Sequence, residues 1–456
     1  MFPRNWPIKT ASFWFGALLT VLFIIWPISR TIALRNALLL VLCVWAGRAA
    51  LARLRPLVLS PPVRAPLLWL GALTLWMVVE VVFTPFWGRA LMSVRGQWLS
   101  ALLAGLLGML VAAGGQGLPR ARTVTALFAA VLLFHVLVVD WQGLLWMVAH
   151  HSWPHDLAGR RIKGLTAGPD KANYLTNLLL DLVVAAWMSR LEGQGFTFLT
   201  NRRFALVVAA AFLSFYFEAM RNGLGDILIL AAFVVSRLVW QRRHRMTVRS
   251  WVALGAVVFG ALLAVGLDVA FDPRWDTLFA TVPIAWNTKL YHLAWQYPGS
   301  PLPHLPNGQP VSQSNYLRIA WIKEGLKCVL AYPWGVGYSR RAFGAALFLR
   351  YGRHLPATST NNGILNLAVG VGVPGVLLWF GWIAATLRSA AQRLSGRRLF
   401  FALALLLIVL DVCSRNLVDA NLQDYMLQEF FFMAGFLLVS LDSVTSRDAN
   451  TGAAPL

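Results

Sequence analysis

The sequence predicts an all-α polytopic membrane protein, with about twelve transmembrane helices and one large outer loop between spans nine and ten. Hydrophobic residues make up 58% of the chain and charged residues 13%, which leaves too little polar surface for a soluble globule. Mean hydropathy is +0.63. The apolar residues fall into blocks of roughly 17 to 22, the length a helix rising 1.5 Å per residue needs to cross a bilayer core of about 30 Å. Basic clusters separate alternate blocks, and the short alternating segments of a β-barrel do not appear.

Taken in order, the spans centre near Leu18, Leu40, Leu73, Leu106, Ala129, Leu180, Ala210, Ile229, Gly260, Val373, Leu406 and Phe436. Arg4 and Lys9 precede the first apolar run with no small-residue cleavage site after it, so this run is read as a retained first helix. Arg48, Arg53, Arg55 and Arg64 lie between spans two and three, and Arg120 and Arg122 between four and five. Arg190, Arg202 and Arg203 follow span six, Arg242, Arg243, Arg245 and Arg249 span eight, and Arg388, Arg393, Arg397 and Arg398 span ten. These connections read as cytoplasmic by the positive-inside rule, and an even span count puts both termini there. Most of the formal charge of +22 is thereby explained by topology, and no nucleic-acid partner is expected. Cys43, Cys328 and Cys413 form no disulfide framework and no metal cluster, so no cofactor is expected.

The chain divides into residues 1–270 with nine spans and a shorter outer loop at 141–172, a large loop at 271–361, residues 362–442 with three spans, and a polar tail at 443–456. A connection of about 90 residues is improbable as structureless chain. Lys323 to Leu330 and the stretch from Trp286 to Trp295 are candidate amphipathic helices, and the recurrent Trp, Tyr, Pro and Gly suit elements at a membrane interface. The loop carries Arg274, Lys289, Arg318, Lys323, Lys327, Arg340, Arg341, Arg350 and Arg353 against Asp272, Asp276 and Glu324. Such an excess suits a phosphate-bearing lipid, or else a solvated face drawn to anionic headgroups.

Several motifs stand out against this scaffold. Arg221-Asn222-Gly223 sits where one apolar run ends and the next begins, and Arg161-Ile-Lys163-Gly164 precedes Asn173. Arg318-Ile-Ala-Trp321 is followed by Pro333-Trp-Gly335-Val-Gly337. The arginine offers a planar fork for phosphate oxygens, and the glycine pair a turn whose backbone can approach a ligand closely. Asn361-Asn362 opens the apolar run that contains Gly372 and Gly375.

With these elements the chain, from about Arg161 to Gly375, resembles the O-antigen ligase and polymerase superfamily of membrane glycosyltransferases. That family shows an arginine turn at the end of a mid-chain span and Arg-x-x-Trp followed by Pro-x-Gly-x-Gly in its large periplasmic loop. It closes with a His-Asn/Ser/Gln pair spaced from two glycines as Asn362 is from Gly372 and Gly375. The resemblance implies a bacterial inner membrane protein of GT-C type. Its donor would be an undecaprenyl-diphosphate-linked glycan and its acceptor a lipid A-core or a growing polysaccharide. Transfer would invert the anomeric centre without a metal, since fixed guanidinium groups stabilise the leaving diphosphate.

By the same resemblance Arg221 and Arg318 take the diphosphate, with Arg161 and Lys163 in support. Arg340 and Arg341 would bind phosphate or acceptor, or form an exposed basic pair. Asn361 stands where the family has histidine, and its amide has no useful basicity at neutral pH. His354 is the nearest substitute base in the loop, and an exposed loop histidine is the plainer reading of it; His150, His151 and His155 lie in the first outer loop. Asn361 and Asn362 would orient the acceptor hydroxyl or cap the following helix. Glu80 and Glu218 are placed to pair with arginines, while Asp411, Asp419, Asp424 and Glu429 read as hydrogen-bonding groups between helices. An exopolysaccharide polymerase and a protein O-oligosaccharyltransferase share these motifs. A lipid-linked glycan flippase, or a relative that binds carrier lipid without transfer, stands as the alternative from another class.

Overall fold

The computed structural model describes residues 8–151, 161–193, 199–242, 248–271, 275–297 and 299–451. Helices dominate the described residues, and the extended pairing named among them is a single bridge between His304 and Pro310. Ten helices precede the long connection: α1 (Ile8–Ile25), α2 (Ile32–Leu59), α3 (Pro61–Phe83), α4 (Trp87–Ser93), α5 (Leu99–Ala113), α6 (Ala121–His150), α7 (Pro169–Leu191), α8 (Asn201–Glu218), α9 (Arg221–Arg242) and α10 (Val248–Phe271). The connection itself holds α11 (Leu278–Trp286), α12 (His292–Gln296), α13 (Gln313–Ala331) and α14 (Ala342–Tyr351). Three helices close the described chain: α15 (Gly363–Ala391), α16 (Leu399–Arg415) and α17 (Asp424–Thr451).

Among the described residues six stretches are long and apolar enough to cross a membrane: Ile32–Leu59, Pro61–Phe83, Trp87–Ala113, Ala121–His150, Gly363–Ala391 and Asp424–Asp442. Each of the twelve centres expected from hydropathy falls inside a helix. α7 and α16 are buried on nearly every side, which makes them the inner helices of the bundle. α7 carries Asn173, Asn177 and Asp181 among its buried residues, which depress its hydropathy, and Asn173 and Asn177 serve partners inside the bundle.

Close helix contact rests on small residues, as it does where no hydrophobic gradient drives association. A Cβ on Gly108 of α5 would stand 2.1 Å from the Phe432 carbonyl oxygen, and one on Gly435 of α17 would stand 2.4 Å from that of Gly105. Large aromatic side chains fill the space beside this backbone contact; Trp98 meets Phe431 edge to face, and Trp382 stacks on Phe431.

Three stretches differ from expectation. The first outer loop, expected over 141–172, is helical to His150 and again from Pro169. Asp140 lies within this helix, and its carboxylate accepts a 2.7 Å hydrogen bond from Ser214 of α8. The amphipathic stretch expected at Lys323 to Leu330 is only part of α13. Trp286 to Trp295 is not one helix but the junction of α11 and α12, where the freed carbonyls of Thr288 and Tyr291 accept from Trp295 and Tyr316.

The long connection folds as a unit around buried Trp295, Tyr316, Cys328 and Phe343. Glu324 lies inside it, accepting from Lys327 at 2.6 Å and from Tyr351 at 2.7 Å. Burial alone would raise the Glu324 pKa, but hydrogen bonds from Lys327, Thr288 and Tyr351 and the Lys327 charge outweigh it and hold it below its usual 4.5.

This unit is fastened to the bundle through a break in α15. Gly372 adopts φ 66° and Pro374 follows it, so the helical hydrogen-bond ladder is interrupted. Several of the groups set free find partners outside the helix. Val369 and Gly370 carbonyls accept from the Val336 and Gly337 amides at 3.1 and 3.0 Å, and Val373 donates to the Pro333 carbonyl at 2.8 Å. Trp76 of α3 donates its indole N–H to the Val371 carbonyl at 2.7 Å, and Glu80 accepts from Gly337 at 3.0 Å. The glycines expected to let backbone approach a ligand instead let the turn approach α15: a Cβ on Gly335 would meet the Gly370 oxygen at 2.4 Å and Glu80 Oε1 at 2.2 Å. Glu80 is accordingly the holder of this turn and not the partner of an arginine.

Gly335→Ala is expected to cost more than about 2 kcal/mol, because it combines a clash with backbone at φ +94°. Gly352→Ala, at φ +66° with open space around it, should cost only about 1 kcal/mol. Thermal unfolding in detergent compares the two. The lowered Glu324 pKa means its contribution is present above pH 4.5 and is lost as pH falls below that value. The stability difference between wild type and Glu324→Gln should therefore shrink on acidification through that range.

Candidate functional site

The segment 416–423, joining α16 to α17, is where the Arg318 and Asn362 stretches meet. Asn416 is fully buried and shapes it: its amide donates to the Val412 carbonyl at 2.6 Å, and its side-chain oxygen accepts from the Asn421 and Leu422 amides. Three groups from elsewhere hold the segment against α15. Asn362 donates to the Leu417 carbonyl at 2.7 Å, Arg318 of α13 to the Val418 carbonyl at 3.3 Å, and the Gly363 amide to the Asp419 carbonyl at 2.7 Å. A Cβ on Gly363 would overlap the Asn416 side chain, which fixes glycine there.

Of the two roles expected for Asn362, the structure displays the cap: its side-chain oxygen accepts from the Leu365 amide at 2.7 Å. Asn361 takes the left-handed conformation at φ 54°, which asparagine tolerates well, and its amide N–H donates to Ser359. The Ile364 and Asn366 amides are taken by Asn416 and Asn362 carbonyls. The opening amides of α15 are therefore spent on the protein, and an anion at this site would rely on side chains.

Those side chains are close by. Arg340 pairs with Asp424 at 3.0 Å, and Lys171 stands 3.9 Å from the same carboxylate. Tyr338, Ser339, Arg340, Gly363, Asn366 and Gln423 line a cleft of about 30 Å³, room for about one water molecule. Arg341 is exposed, and its backbone N–H donates to Ser339. His354 is exposed and stacks on Phe348, ring centres 4.5 Å apart. His150 stacks on Trp146 and donates to the Trp146 carbonyl, and His155 lies outside the described residues.

Behind the segment lies a buried polar network that joins the remaining motifs. Arg415, with no exposed surface, donates to Asn173 at 2.8 Å, to Asp226 at 3.2 Å and to the Asp170 carbonyl at 3.3 Å, and faces the Tyr174 ring. Asn173 in turn donates to Glu218 at 2.8 Å, and Thr176 donates to the other oxygen of that carboxylate. Asn177 bridges Asp226 and Asp411, and Ser414 donates to Asp226 at 2.7 Å. Glu218, expected to pair with an arginine, thus reaches Arg415 through Asn173.

The motif Arg221-Asn222-Gly223 begins α9 beside this network, for a Cβ on Gly223 would stand 2.6 Å from the Asn173 amide nitrogen. The Arg221 side chain lies outside the described positions. Arg161 reaches the same corner, with Nη1 3.8 Å from the sulfur of Met220 and the Ile162 amide bonded to the Phe217 carbonyl. Lys163 is exposed on this stretch, and its carbonyl accepts from Thr166. The structure thus brings Arg318 and Asn362 onto the start of the segment, at Leu417 and Val418, and Arg340 to Asp424 just past its other end, and places the Gly223 backbone beside Asn173, the partner of Arg415.

Sequence reasoning missed Arg415 and Asp226. Their signal was present, an Asp411 and an Arg415 one turn apart at the end of an apolar helix, where an ionisable residue marks a buried partner or a site. Between α7, α8, α9 and α10 lies a separate apolar cavity of about 460 Å³, with Leu180, Val184, Phe212, Ile227, Leu230 and Ala261 among its walls.

Comparison with models of known protein families gives no match to this chain, and comparison with curated protein sequences gives none.

Arg415→Ala should destabilise the protein by about 3–5 kcal/mol, since it strands buried Asp226 without its cation. The double variant Arg415→Met, Asp226→Asn should recover much of that loss; chemical unfolding in detergent measures both.

Proposed function

We propose that the chain is an O-antigen-ligase-like glycosyltransferase, which moves a glycan from undecaprenyl diphosphate to a lipid A-core acceptor at the periplasmic face of a bacterial inner membrane. The observation that carries this reading is convergence. Arg318, Asn362 and the Arg340–Asp424 pair, far apart in sequence, meet on residues 416–424. Guanidinium groups held at the edge of a membrane bundle suit a diphosphate leaving group. The topology that goes with this reading is twelve spans with both termini in the cytoplasm. Twelve hydropathy centres within helices and a compact folded unit between α10 and α15 are compatible with it.

In this reaction the acceptor hydroxyl attacks the anomeric carbon from the face opposite the leaving group. The bond from that carbon to the diphosphate oxygen breaks, its electron pair stays on the diphosphate, and the hydroxyl proton passes to a base. Arg318, Arg221 and Arg340 would meet the growing charge, with Arg161, Lys163 and Arg341 at the rim. Asn361 and Asn362 would hold the acceptor. His354 is the proposed base, its exposed ring leaving a nitrogen to take the proton. The carrier's isoprenoid tail is assigned to the apolar cavity between α7 and α10. The 30 Å³ cleft admits no sugar until the loop unit shifts.

Purified protein is incubated with undecaprenyl-diphosphate-linked glycan and rough lipopolysaccharide, and the acceptor is followed by gel shift. Wild type should transfer. Arg318→Ala should lose about 10²- to 10³-fold in rate. His354→Ala should lose transfer if it is the base, while Asn361→His should retain or raise it. Longer glycans on the carrier, or on an added protein acceptor, with none on lipid A-core would assign a polymerase or a protein O-oligosaccharyltransferase. No product with any variant would refute glycosyl transfer and favour a lipid-linked glycan flippase.

A further inference from the structure

The folded connection between α10 and α15 carries an apolar face that its own core leaves uncovered. On α11 the residues Phe279, Val282 and Trp286, spaced three and four apart, are exposed, whereas Thr281 and Ala285 on the other side are buried. Phe279 is 81% exposed. On α13, which packs against α11, Leu326 and Leu330 are exposed one turn apart, Leu330 at 82%. The two helices present one surface, because Lys323, one turn before Leu326, donates to the Trp286 carbonyl and lies 5.5 Å from the centre of its ring.

This surface runs on into that of the membrane bundle. Trp334 follows Leu330 by a turn's length, is 68% exposed, and lies 6.2 Å from Trp76 of α3, one of the six helices apolar enough to span a membrane. Around Trp76 the same helix exposes Leu75, Val79 and Val82, as a lipid-facing surface does. Lys289, exposed beside Trp286, and Lys323 border the apolar face, the arrangement in which lysine stems lie along apolar surface and ammonium groups reach the headgroups.

We infer that Phe279, Val282, Trp286, Leu326, Leu330 and Trp334 form a bilayer-seated face, which rests in the headgroup and upper acyl region of the membrane that α3 crosses. An exposed apolar surface with indoles and lysines at its edge matches the chemistry of that layer, where tryptophan is enriched and amphipathic helices lie flat. The face holds the connection, and with it Arg318 on the same α13, at a set height above the bilayer. This inference does not depend on which reaction the protein performs.

The test is site-directed spin labelling of the full chain in nanodiscs of phosphatidylethanolamine and phosphatidylglycerol. Cysteines are introduced singly at Phe279, Leu330, Leu75 and Gln309, with Cys43, Cys328 and Cys413 replaced by alanine. Because Cys328 is packed in the loop core, the same labels are also read in the wild-type background after subtraction of its own signal. Labels at Phe279 and Leu330 should collide with oxygen and be shielded from a water-soluble nickel chelate, as the Leu75 label is. The Gln309 label, on an exposed turn, should show the opposite. Chelate access at Phe279 and Leu330 equal to that at Gln309 would overturn the inference. So would shielding from both reagents, or dipolar coupling between labels of two copies, since either means that protein covers the face.

Discussion

The pairing of the Pro333–Gly337 turn with the break in α15 is the contact on which the rest of the architecture depends. A helix interrupted inside a membrane bundle exposes backbone groups that lipid cannot satisfy, so they must find partners within the protein. Here the partners come from a turn about 35 residues away in sequence and from Trp76 of α3, while Glu80 of α3 holds the turn by accepting from Gly337. One arrangement therefore satisfies the break and fastens the folded connection to the bundle. Because Pro333 to Gly337 follow α13 directly, the same contact sets where Arg318 stands.

A second constraint acts from below. Arg415 closes α16 inside the protein, and its guanidinium is met by Asn173, Asp226 and the Asp170 carbonyl from α7 and α9. A buried cation with several acceptors tolerates little displacement of any of them. The residues that follow, 416–423, are thus held at one end by Arg415 and pinned from outside by Arg318, Asn362 and Gly363. The candidate site is built from the connection between two helices, where polar groups are accessible, and given rigidity by the helices on both sides.

Several polar residues of the helical bundle are spent on another helix. Asp140 is bonded by Ser214, Glu218 by Asn173 and Thr176, Asp226 by Ser414 and Arg415, and Trp26 donates to Gln428. This explains why hydropathy underrates α7, whose polar side chains face inward.

The sequence by itself determined the fold class, because apolar blocks of helical length and arginine clusters between them are local properties of the chain. That the twelve apolar centres lie within helices followed from the same local patterns, whereas the helix ends within 141–172 and the break between Trp286 and His292 did not. The tertiary structure alone decided what the glycines of the Pro333 turn touch, which groups Glu80 and Glu218 serve, and that Arg415 links the two halves of the bundle. Each is a contact between residues far apart in sequence, and in a single sequence no spacing or composition encodes which distant partner satisfies a buried polar group. Asn362 shows the division well: its capping role is legible from the helix it precedes, whereas its second bond, to the Leu417 carbonyl, exists only because α15 and α16 are packed side by side.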